Sequence, residues 1–213
     1  MSELHFETLD PDRREVFNKL KSFGGRGVLG GGTAVSLLLA HRKSYDFDVF
    51  MNEPVKEKML RRAQEIFGEQ IKLLVDSGDE LSFLTPERIK ISLIYFPFKP
   101  LHKVVKTTLI PIFDIKDLAS NKAYVIGRRG EYRDYVDLFF LLKADLKLEG
   151  IIREAQERFK GAFSEKLFLE QLVYLKDLKD FTVEFTDSEY SPDQILDFFK
   201  KTAAEYTKAR LQL

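Results

Sequence analysis

The chain has 213 residues, and its 34 Lys and Arg side chains are balanced by 34 Asp and Glu, so the formal net charge is zero. This length allows one large domain or two small ones, and the hydrophobic fraction of 44%, with 19 Phe, predicts a folded globular protein. The charge balance argues against a protein that binds nucleic acid by bulk positive charge, although it leaves room for a local basic groove. The absence of cysteine excludes disulfides, thiolate metal sites and cysteine nucleophiles.

The sequence shows neither a secretion signal nor a membrane-spanning segment. The N-terminal stretch MSELHFETLDPDRRE is acidic and polar, unlike a signal peptide. The longest apolar runs, LLLA at 37–40 and LFFLL at 138–142, are far too short to cross a bilayer. We therefore expect a cytoplasmic protein with no membrane partner. With only His5, His41 and His102 in the chain, a zinc site built from histidines is not expected.

The first half of the chain has the pattern of alternating helices and strands. Asp10 followed by Pro11 is typical of a helix start, and Val16, Leu20 and Phe23 follow at helical spacing. Downstream, short apolar runs are separated by turn residues, which predicts strands. We expect strands at 26–30, 44–51, 71–76, 80–85 and 88–96, and further helices at 33–41 and 52–67.

Beyond Pro111 the pattern is that of helices alone. Their expected ranges are 115–126, 131–145, 148–160, 164–177 and 192–210. The predicted fold class is therefore α/β (α+β), a mixed sheet with flanking helices followed by a C-terminal helical region. We place the boundary near Phe113, which gives an α/β domain at 1–113 and a helical domain at 114–213.

Three consecutive glycines, Gly30, Gly31 and Gly32, end the first predicted strand and lead through Thr33 into a helix. Such a turn presents backbone N–H groups at the positive end of the helix, and glycine lets a ligand approach that backbone closely. The pattern is typical of a phosphate-binding turn. A glycine run alone fits a simple turn equally well, so a second feature is needed.

Asp46 and Asp48 are that second feature. Side chains at i and i+2 of a strand point to the same face, about 7 Å apart, with Phe47 and Val49 on the other face. Two like charges side by side repel unless a cation lies between them, and Mg²⁺ prefers carboxylates together with substrate phosphates. A solvated strand face is the alternative. The short helix from Thr33 and the Arg42-Lys43-Ser44 turn would bring the glycines and aspartates to the same end of the sheet, with Arg42 or Lys43 available to neutralise phosphate charge.

A third group of charged residues lies between 118 and 142. Lys122 and Arg129 are separated by a predicted helix end, and Asp134 and Asp137 share a face of the next helix at i, i+3 spacing. The alternative interpretation is a helical hairpin held by ion pairs, with Arg133 and Asp137 paired at i, i+4.

These elements together carry a resemblance. GGTAVSLLLAHRKSYDFDVF (31–50) resembles the opening motif of the nucleotidyltransferase fold. Joined to DLASNKAYVIGRRGEYRDYVDLFFLL (117–142), it resembles the AbiEii/AbiGii toxin family of nucleotidyltransferases. That family has a Gly-Gly-Thr-Ala turn, an Arg-x-Ser-x-Asp-x-Asp strand, a Lys helix ending in Arg and an Arg-Asp-x-x-Asp helix. The four elements occur here in order, over about half of the chain.

The resemblance implies transfer of a nucleoside monophosphate from an NTP to an acceptor, with release of pyrophosphate. It implies Mg²⁺, or Mn²⁺ in its place, a tRNA or protein acceptor, and a cognate antitoxin as partner. The helical domain would complete the active-site cleft. The implied site residues are Gly31, Gly32 and Thr33 for the phosphates, Arg42 and Ser44 beside them, Asp46 and Asp48 for the metal, Lys122 for the triphosphate with Arg129 or Arg133 assisting, and Asp134 and Asp137 to order the site or the acceptor.

One position departs from the pattern. Many nucleotidyltransferases of this fold carry a third carboxylate on a neighbouring strand, where this chain has Ser92. Either Asp134 or Asp137 supplies the missing carboxylate, or the metal set is reduced, or the protein is inactive. A catalytically inactive nucleotide- or partner-binding module is therefore the alternative function. A nucleotide-sugar glycosyltransferase would explain the Asp-Phe-Asp motif but not the glycines or the lysine helix.

Overall fold

The computed structural model describes residues 4–56 and 58–211. The chain divides into two compact units, the first ending at Asp114 and the second beginning at Ile115. No helix in the described part of the chain is both long enough and apolar enough to span a membrane.

Among its described residues, the first unit has a five-stranded sheet and three α-helices. Its elements in chain order are α1 (Pro11–Lys19), β1 (Gly27–Gly30), α2 (Gly31–Leu39), β2 (Phe47–Met51), α3 (Lys58–Phe67), β3 (Lys72–Asp76), β4 (Glu80–Leu84) and β5 (Lys90–Tyr95). The strand order is β1-β2-β5-β4-β3. β2 and β5 run parallel, and the other neighbouring strands run antiparallel, so the sheet is mixed as predicted.

One face of the sheet holds the core of this unit. Val49 of β2 and Leu93 of β5 are completely buried. Aromatic contacts link the helices to this face: the ring centroids of Phe17 and Phe47 are 6.2 Å apart, and those of Phe67 and Phe83 are 5.5 Å apart. Side chains alternate along a strand, so burial of Phe47 and Val49 turns Asp48 to the opposite face, as the sequence predicts.

The two edges of the sheet differ. The outer edge of β1 is covered, because the Leu29 N–H donates to the Pro111 carbonyl at 2.8 Å and the Phe113 N–H donates to the Leu29 carbonyl at 3.0 Å. At the other edge, β3 pairs with β4 on one side and with no other described strand. All five residues of β3 are exposed.

The second unit is helical. It contains α4 (Ile115–Val125), α5 (Tyr132–Lys143), α6 (Leu148–Phe159), α7 (Glu165–Leu172) and α8 (Pro192–Arg210). A buried ion pair joins α4 to α6, since Arg158 Nη1 lies 3.1 Å from Asp117 Oδ1 and both side chains are fully buried. Burial lowers the pKa of Arg158 to about 10, against the opposing effect of the Asp117 charge.

Several expected boundaries are wrong, and the helix predicted to run to residue 177 already ends at Leu172. The helix predicted from residue 52 begins at Lys58, because Val55 is held in irregular backbone by a 2.9 Å bond from its N–H to the Gly78 carbonyl. The strand predicted from residue 44 begins at Phe47, which leaves Asp46 outside it. The helix predicted from Thr33 already begins at Gly31.

Candidate active site

Asp48 and the glycine turn lie side by side at one end of the sheet. Gly30, the last residue of β1, is the register partner of Asp48 in β2. Gly31 follows with φ of +65°, a left-handed conformation that glycine adopts easily. A Cβ at Gly31 would collide with Oδ2 of Asp48. The carboxylate therefore occupies the space that any other residue at position 31 would fill.

The same turn opens helix α2, whose first residues are Gly31, Gly32 and Thr33. The first four N–H groups of a helix have no acceptor within the helix, and the helix dipole gives that end a partial positive charge. An anionic ligand at this end of α2 would lie close to the Asp48 carboxylate. Anion and carboxylate are compatible there only if a cation balances their charges.

Thr33 does not present its side chain to such a ligand. Its side chain is almost fully buried, with the residue 1% exposed. Its hydroxyl lies 2.8 Å from Ser44 Oγ and within hydrogen-bond distance of the Asp46 carbonyl. The hydroxyl thus ties the start of α2 to the segment before β2, while the Thr33 N–H stays part of the helix terminus. Ser44, also buried, acts in the same link.

The segment between α2 and β2 is also held by contacts with α1. Arg13 of α1 donates from Nε to the Tyr45 carbonyl at 3.1 Å, and its guanidinium lies 4.9 Å from the Tyr45 ring centroid. Arg42 is buried and donates from Nη1 to the Lys43 carbonyl at 2.8 Å. The Arg42 guanidinium is therefore engaged in holding the segment. Asp46 is exposed at the end of this anchored segment.

The position of the expected third carboxylate is occupied by a hydroxyl. Ser92 of β5 is the register partner of Asp48, so the neighbouring strand does place Ser92 beside it. Ser92 Oγ and Ser82 Oγ are hydrogen-bonded to each other at 2.9 Å, and the Ser82 hydroxyl lies 2.5 Å from Glu80 Oε1, which can only accept. Ser82 and Ser92 are both buried. Their hydroxyls extend the polar side of the sheet from Asp48 towards β4, and neither hydroxyl adds a charge near Asp48.

The candidate ligands fit a hard cation whose remaining coordination positions are filled by the substrate. No group of three or more His, Cys, Asp and Glu side chains within 4–56 and 58–211 is placed to hold a metal ion. Mg²⁺ is commonly held by one or two carboxylates, with substrate phosphates and water as the other ligands. Asp48, in its cradle at Gly31, and the exposed Asp46 supply two such carboxylates.

The second unit gathers four of the predicted residues into one buried network. Lys122 of α4 places Nζ 2.8 Å from Asp134 Oδ1 and 2.6 Å from Asp137 Oδ2, with all three side chains at most 5% exposed. Arg129 holds Asp134 with two bonds, Nε to Oδ2 at 2.7 Å and Nη2 to Oδ1 at 3.0 Å. Two cations and two carboxylates therefore balance within the cluster.

This network holds Asp134 in its charged form. Burial of the carboxyl would raise its pKa, but the Lys122 charge and the hydrogen bonds from Arg129 outweigh burial and keep the pKa of Asp134 below its usual value. The Arg129 side chain is 52% exposed, so a ligand can reach it while the carboxylate behind it stays buried.

Arg133 lies apart from this network. It is half-buried on α5 and contributes, after the hydrogen bonds from Thr182, to lowering the pKa of Asp180. Asp137, which the hairpin interpretation paired with Arg133, instead forms its ion pair with Lys122.

Comparison with known proteins decides the family. A family model described as the nucleotidyl transferase AbiEii toxin of a type IV toxin–antitoxin system matches residues 18–209. The chain belongs to the AbiEii family. It is a nucleotidyltransferase, and the resemblance found in its motifs is confirmed over nearly the whole chain.

Relatives of this AbiEii protein agree with the assignment. An uncharacterised protein from Aquifex aeolicus (strain VF5) is 31% identical over 208 residues, which cover 93% of this chain and 97% of that one. MenT4, a nucleotidyltransferase toxin from Mycobacterium tuberculosis H37Rv, has a similar fold, with a TM-score of 0.61 at 17% identity, covering 92% of this chain and 82% of MenT4. A protein from H. pylori, described with its crystal structure as a candidate nucleotidyltransferase, gives a TM-score of 0.58 at 17% identity, covering 94% of this chain and 97% of its own. These similarities confirm the predicted fold.

Two contributions to the site of this AbiEii protein were missed by sequence reasoning. Arg13 anchors Tyr45 from 32 positions upstream, and its place after the helix-start signal gives no hint of that contact. Gly31 is needed for the space beside Asp48 as well as for its φ, whereas the sequence indicated only a close approach of ligand to backbone.

Proposed function

We propose that this AbiEii protein transfers a nucleoside monophosphate from an NTP to an acceptor, with Mg²⁺ held by Asp46 and Asp48 and with Mn²⁺ able to replace it. An acceptor oxygen bonds to the α-phosphorus, the bond from that phosphorus to the bridging oxygen breaks, and pyrophosphate leaves. The packing of the Asp48 carboxylate against Gly31 at the start of α2 carries the proposal. It brings the carboxylate that would bind the metal next to backbone N–H groups that would bind phosphate.

In the first unit, each residue has a defined task. The N–H groups of Gly31, Gly32 and Thr33 hold phosphate oxygens, while the Thr33 hydroxyl fixes the position of Asp46 through its carbonyl. When bound, the metal supplies positive charge that offsets the charge developing on the phosphates and the leaving group. Arg42 and Ser44 act by holding the segment that carries Asp46.

In the second unit, Lys122 and Arg129 supply the positive charge that we assign to the triphosphate. Arg129 is the better placed of the two, because half of its side chain is exposed. Lys122 Nζ already lies within hydrogen-bond distance of two carboxylates, so it would bind a phosphate oxygen in exchange for one of its present partners. Asp134 and Asp137 keep both cations oriented, and Arg133 is a further candidate for the ligand.

The acceptor we propose is RNA, with tRNA as the first candidate, and the partner is the antitoxin that membership of a toxin–antitoxin family implies. MenT4, a nucleotidyltransferase toxin of similar fold, supports a toxin role. A protein acceptor, including the chain itself, is the alternative that the same assay distinguishes.

The test is incubation with each of the four α-labelled NTPs, Mg²⁺ and total tRNA, with a parallel reaction that contains protein alone. We expect label in RNA with one or two of the NTPs, and no label when Mg²⁺ is chelated. Asp48→Asn should abolish labelling, whereas Asp79→Asn, an exposed aspartate at the β3–β4 turn, should label normally. Absence of both labelled product and pyrophosphate release with every NTP would reject the proposal. If only protein becomes labelled, the acceptor is a protein and not RNA, and the proposed transfer reaction still stands.

A further inference from the structure

A cavity with a basic lining lies beside helix α3, apart from the candidate active site. Its volume is about 460 Å³, and its described charged residues are four cations and one acid. These exposed residues are Arg26, Lys58, Arg61, Arg62 and Glu65. The chain as a whole carries no net charge, so the excess of cations in this basic cavity is a local feature.

The periodicity of α3 gathers three of these cations onto one side of the helix. Lys58, Arg61 and Arg62 stand at positions i, i+3 and i+4, which share one face. The buried side chains of α3 lie on the other face and pack into the core. Arg26 reaches the cavity from the turn before β1, whose backbone is fixed by a 2.9 Å bond from the Arg26 N–H to the Phe23 carbonyl.

The cations of the basic cavity are not neutralised by the protein itself. Within 4–56 and 58–211, the side chains of Arg26, Lys58 and Arg61 form no hydrogen bond or ion pair. Arg62 donates to the Ser22 carbonyl, which keeps its guanidinium at the wall of the cavity. Like charges at i, i+3 and i+4 of a helix repel one another, so an anion bound in the cavity would relieve this repulsion.

The lining favours phosphate groups of a nucleic acid over an acidic protein. Three of the four cations are arginines, whose planar guanidinium groups form paired hydrogen bonds with phosphate oxygens. Protein interfaces usually depend on apolar or aromatic anchors at their centre. Among the described residues, no exposed large apolar side chain lines the cavity.

Strand β1 runs from the basic cavity towards the candidate active site. Arg26 directly precedes Gly27, the first residue of β1, whereas Gly30, its last residue, is the register partner of Asp48. The cavity therefore lies at the opposite end of the strand from the reacting groups. A ligand bound there would hold the acceptor and take no part in the chemistry. Only a large acceptor can use such a contact, and the backbone of a folded RNA extends over many nucleotides.

We propose that the basic cavity binds the phosphodiester backbone of the acceptor RNA, at a distance from the nucleotide that is modified. This inference rests on the RNA acceptor proposed above. The four cations hold the body of the RNA while its reactive end reaches Asp48. Such contacts are made equally in the ground state and the transition state, so they lower the KM for RNA and leave kcat unchanged.

Binding measurements on the full chain test the cavity without requiring turnover. Anisotropy of labelled tRNA, measured without NTP, should show salt-dependent binding. Lys58→Ala/Arg61→Ala removes two cations that form no described bond, and it should raise the Kd for tRNA about tenfold. The slope of log K against log salt should fall by about 1.4–1.8. Glu65→Gln removes the acid and should tighten binding by about two- to threefold.

Matched variants separate the cavity from general charge effects. Lys176→Ala/Lys179→Ala removes two exposed lysines of the second unit, so it changes the net charge by the same amount and should bind tRNA like the wild type. Lys58→Arg/Arg61→Lys keeps both charges and should retain most of the affinity. An equal loss of binding in the control variant would overturn the proposal. Poly-glutamate that binds as tightly as tRNA, and is released by the same alanine variant, would overturn it in favour of an acidic protein.

Transfer kinetics distinguish failure of this proposal from failure of the proposed function. Lys58→Ala/Arg61→Ala should raise the KM for RNA about tenfold, with kcat and the KM for the NTP unchanged. Asp48→Asn should bind RNA normally and transfer no label. Transfer to RNA that the cavity variant leaves unchanged in Kd and KM would overturn the docking surface alone, as would absence of RNA binding by a wild type that labels protein. RNA binding that depends on the cavity, without transfer from any NTP, would reject the reaction and keep the surface.

Discussion

The carboxylate of Asp48 rests against the α-carbon of Gly31, at the point where β1 turns into α2. The two residues are brought together by the antiparallel pairing of β1 with β2, in which Gly30 is the partner of Asp48. The contact joins the residue we assign to the metal with the backbone we assign to the phosphates. The geometry of one therefore depends on the other, and this dependence can be tested by mutation.

Gly31→Ala should impair both stability and activity. The alanine would adopt an unfavourable positive φ, and its Cβ would displace the Asp48 carboxylate. We expect the free energy of unfolding to fall by about 2–5 kcal/mol in urea titrations, the sum of a left-handed-backbone cost and an overpacking cost. The transfer rate should fall further than this loss of folded protein explains.

Gly68→Ala is the matched control for that variant. Gly68 has a φ of +99° but open space where its Cβ would lie. It should therefore show only the backbone cost of about 1–2 kcal/mol and normal transfer by the folded fraction. Equal losses of activity in the two variants would show that the contact with Asp48 is irrelevant to the reaction.

Thr33→Val should separate positioning from direct contact with the nucleotide. The change keeps the shape of the side chain but removes the hydroxyl that bridges Ser44 and the Asp46 carbonyl. We expect a loss of about 1–2 kcal/mol in unfolding free energy and a ten- to hundredfold lower kcat, roughly what small displacements of catalytic groups cost. Thr33→Ser keeps the hydroxyl and should recover most of the activity. If KM for the NTP rises while kcat stays constant, the hydroxyl binds the nucleotide instead.

Lys122→Met should strongly destabilise the second unit. It leaves Asp134 and Asp137 buried without the ammonium that bonds to both. Removing one partner of a buried pair costs about 3–5 kcal/mol, measured as the free energy of unfolding at pH 7. Lys143→Met, on the more exposed end of α5, is the control and should cost much less.

Asp134→Asn should change the pH dependence of stability. The folded-state pKa of Asp134 is lowered, so its charge stabilises the fold fully above the unfolded pKa, and this contribution is lost as pH falls through the folded-state pKa. The gap in unfolding free energy between wild type and Asp134→Asn should be largest near pH 7 and shrink below the ordinary value of 3.8. A gap that is constant from pH 7 to the acid limit would contradict the charged state assigned here.

Two buried tyrosines on α5 should respond oppositely to loss of their hydroxyls. Burial raises the pKa of Tyr132 and Tyr135 to about 12 in each case. The Tyr132 hydroxyl has no hydrogen-bond partner among the described residues, whereas the Tyr135 hydroxyl donates to the Gln171 carbonyl at 3.2 Å. Tyr132→Phe should raise the free energy of unfolding by about 1 kcal/mol, and Tyr135→Phe should lower it by about 1 kcal/mol. Thermal unfolding of both variants side by side checks the prediction.

The same tyrosines give a pH signature. Their folded-state pKa values lie above the ordinary 10, so the stability linked to their protonated forms is complete below pH 10 and is lost as pH rises through about 12. Absorbance titration of tyrosine ionisation should lose one late-titrating group in each Phe variant.

Much of the fold could be predicted because the local signals agree with the tertiary structure. Asp10 caps the first helix through the Arg13 N–H, and Gly127, with φ of +84°, follows the end of α4. The helix start predicted at residue 52 was wrong because a tertiary hydrogen bond from the Val55 N–H to the Gly78 carbonyl competes with the local preference. Nothing in the sequence near residue 52 shows that partner.

The contacts among the candidate site residues were harder to predict than the candidates themselves. The motifs single out Asp48, Lys122 and Asp134 as candidates, because their types and spacing carry the family pattern. The double ion pair of Lys122 follows from how α4 and α5 pack, and helix spacing alone suggested a different pair for Asp137. The burial of the Thr33 hydroxyl was likewise not predicted, because the sequence pattern indicates a turn that is open to phosphate.

The tight return between α2 and β2 has a consequence for how this protein can vary in length. Residues 40–46 run from the left-handed Ala40 to the start of β2, and within them Ser44, Tyr45 and Asp46 are each fastened to α1 or α2. A single inserted residue here would break these ties or shift the alternation of β2 by one place, turning Asp48 into the core. Deletions and insertions should therefore be absent from this stretch in any functional variant, and a library of randomised loop lengths would recover activity only at the native length.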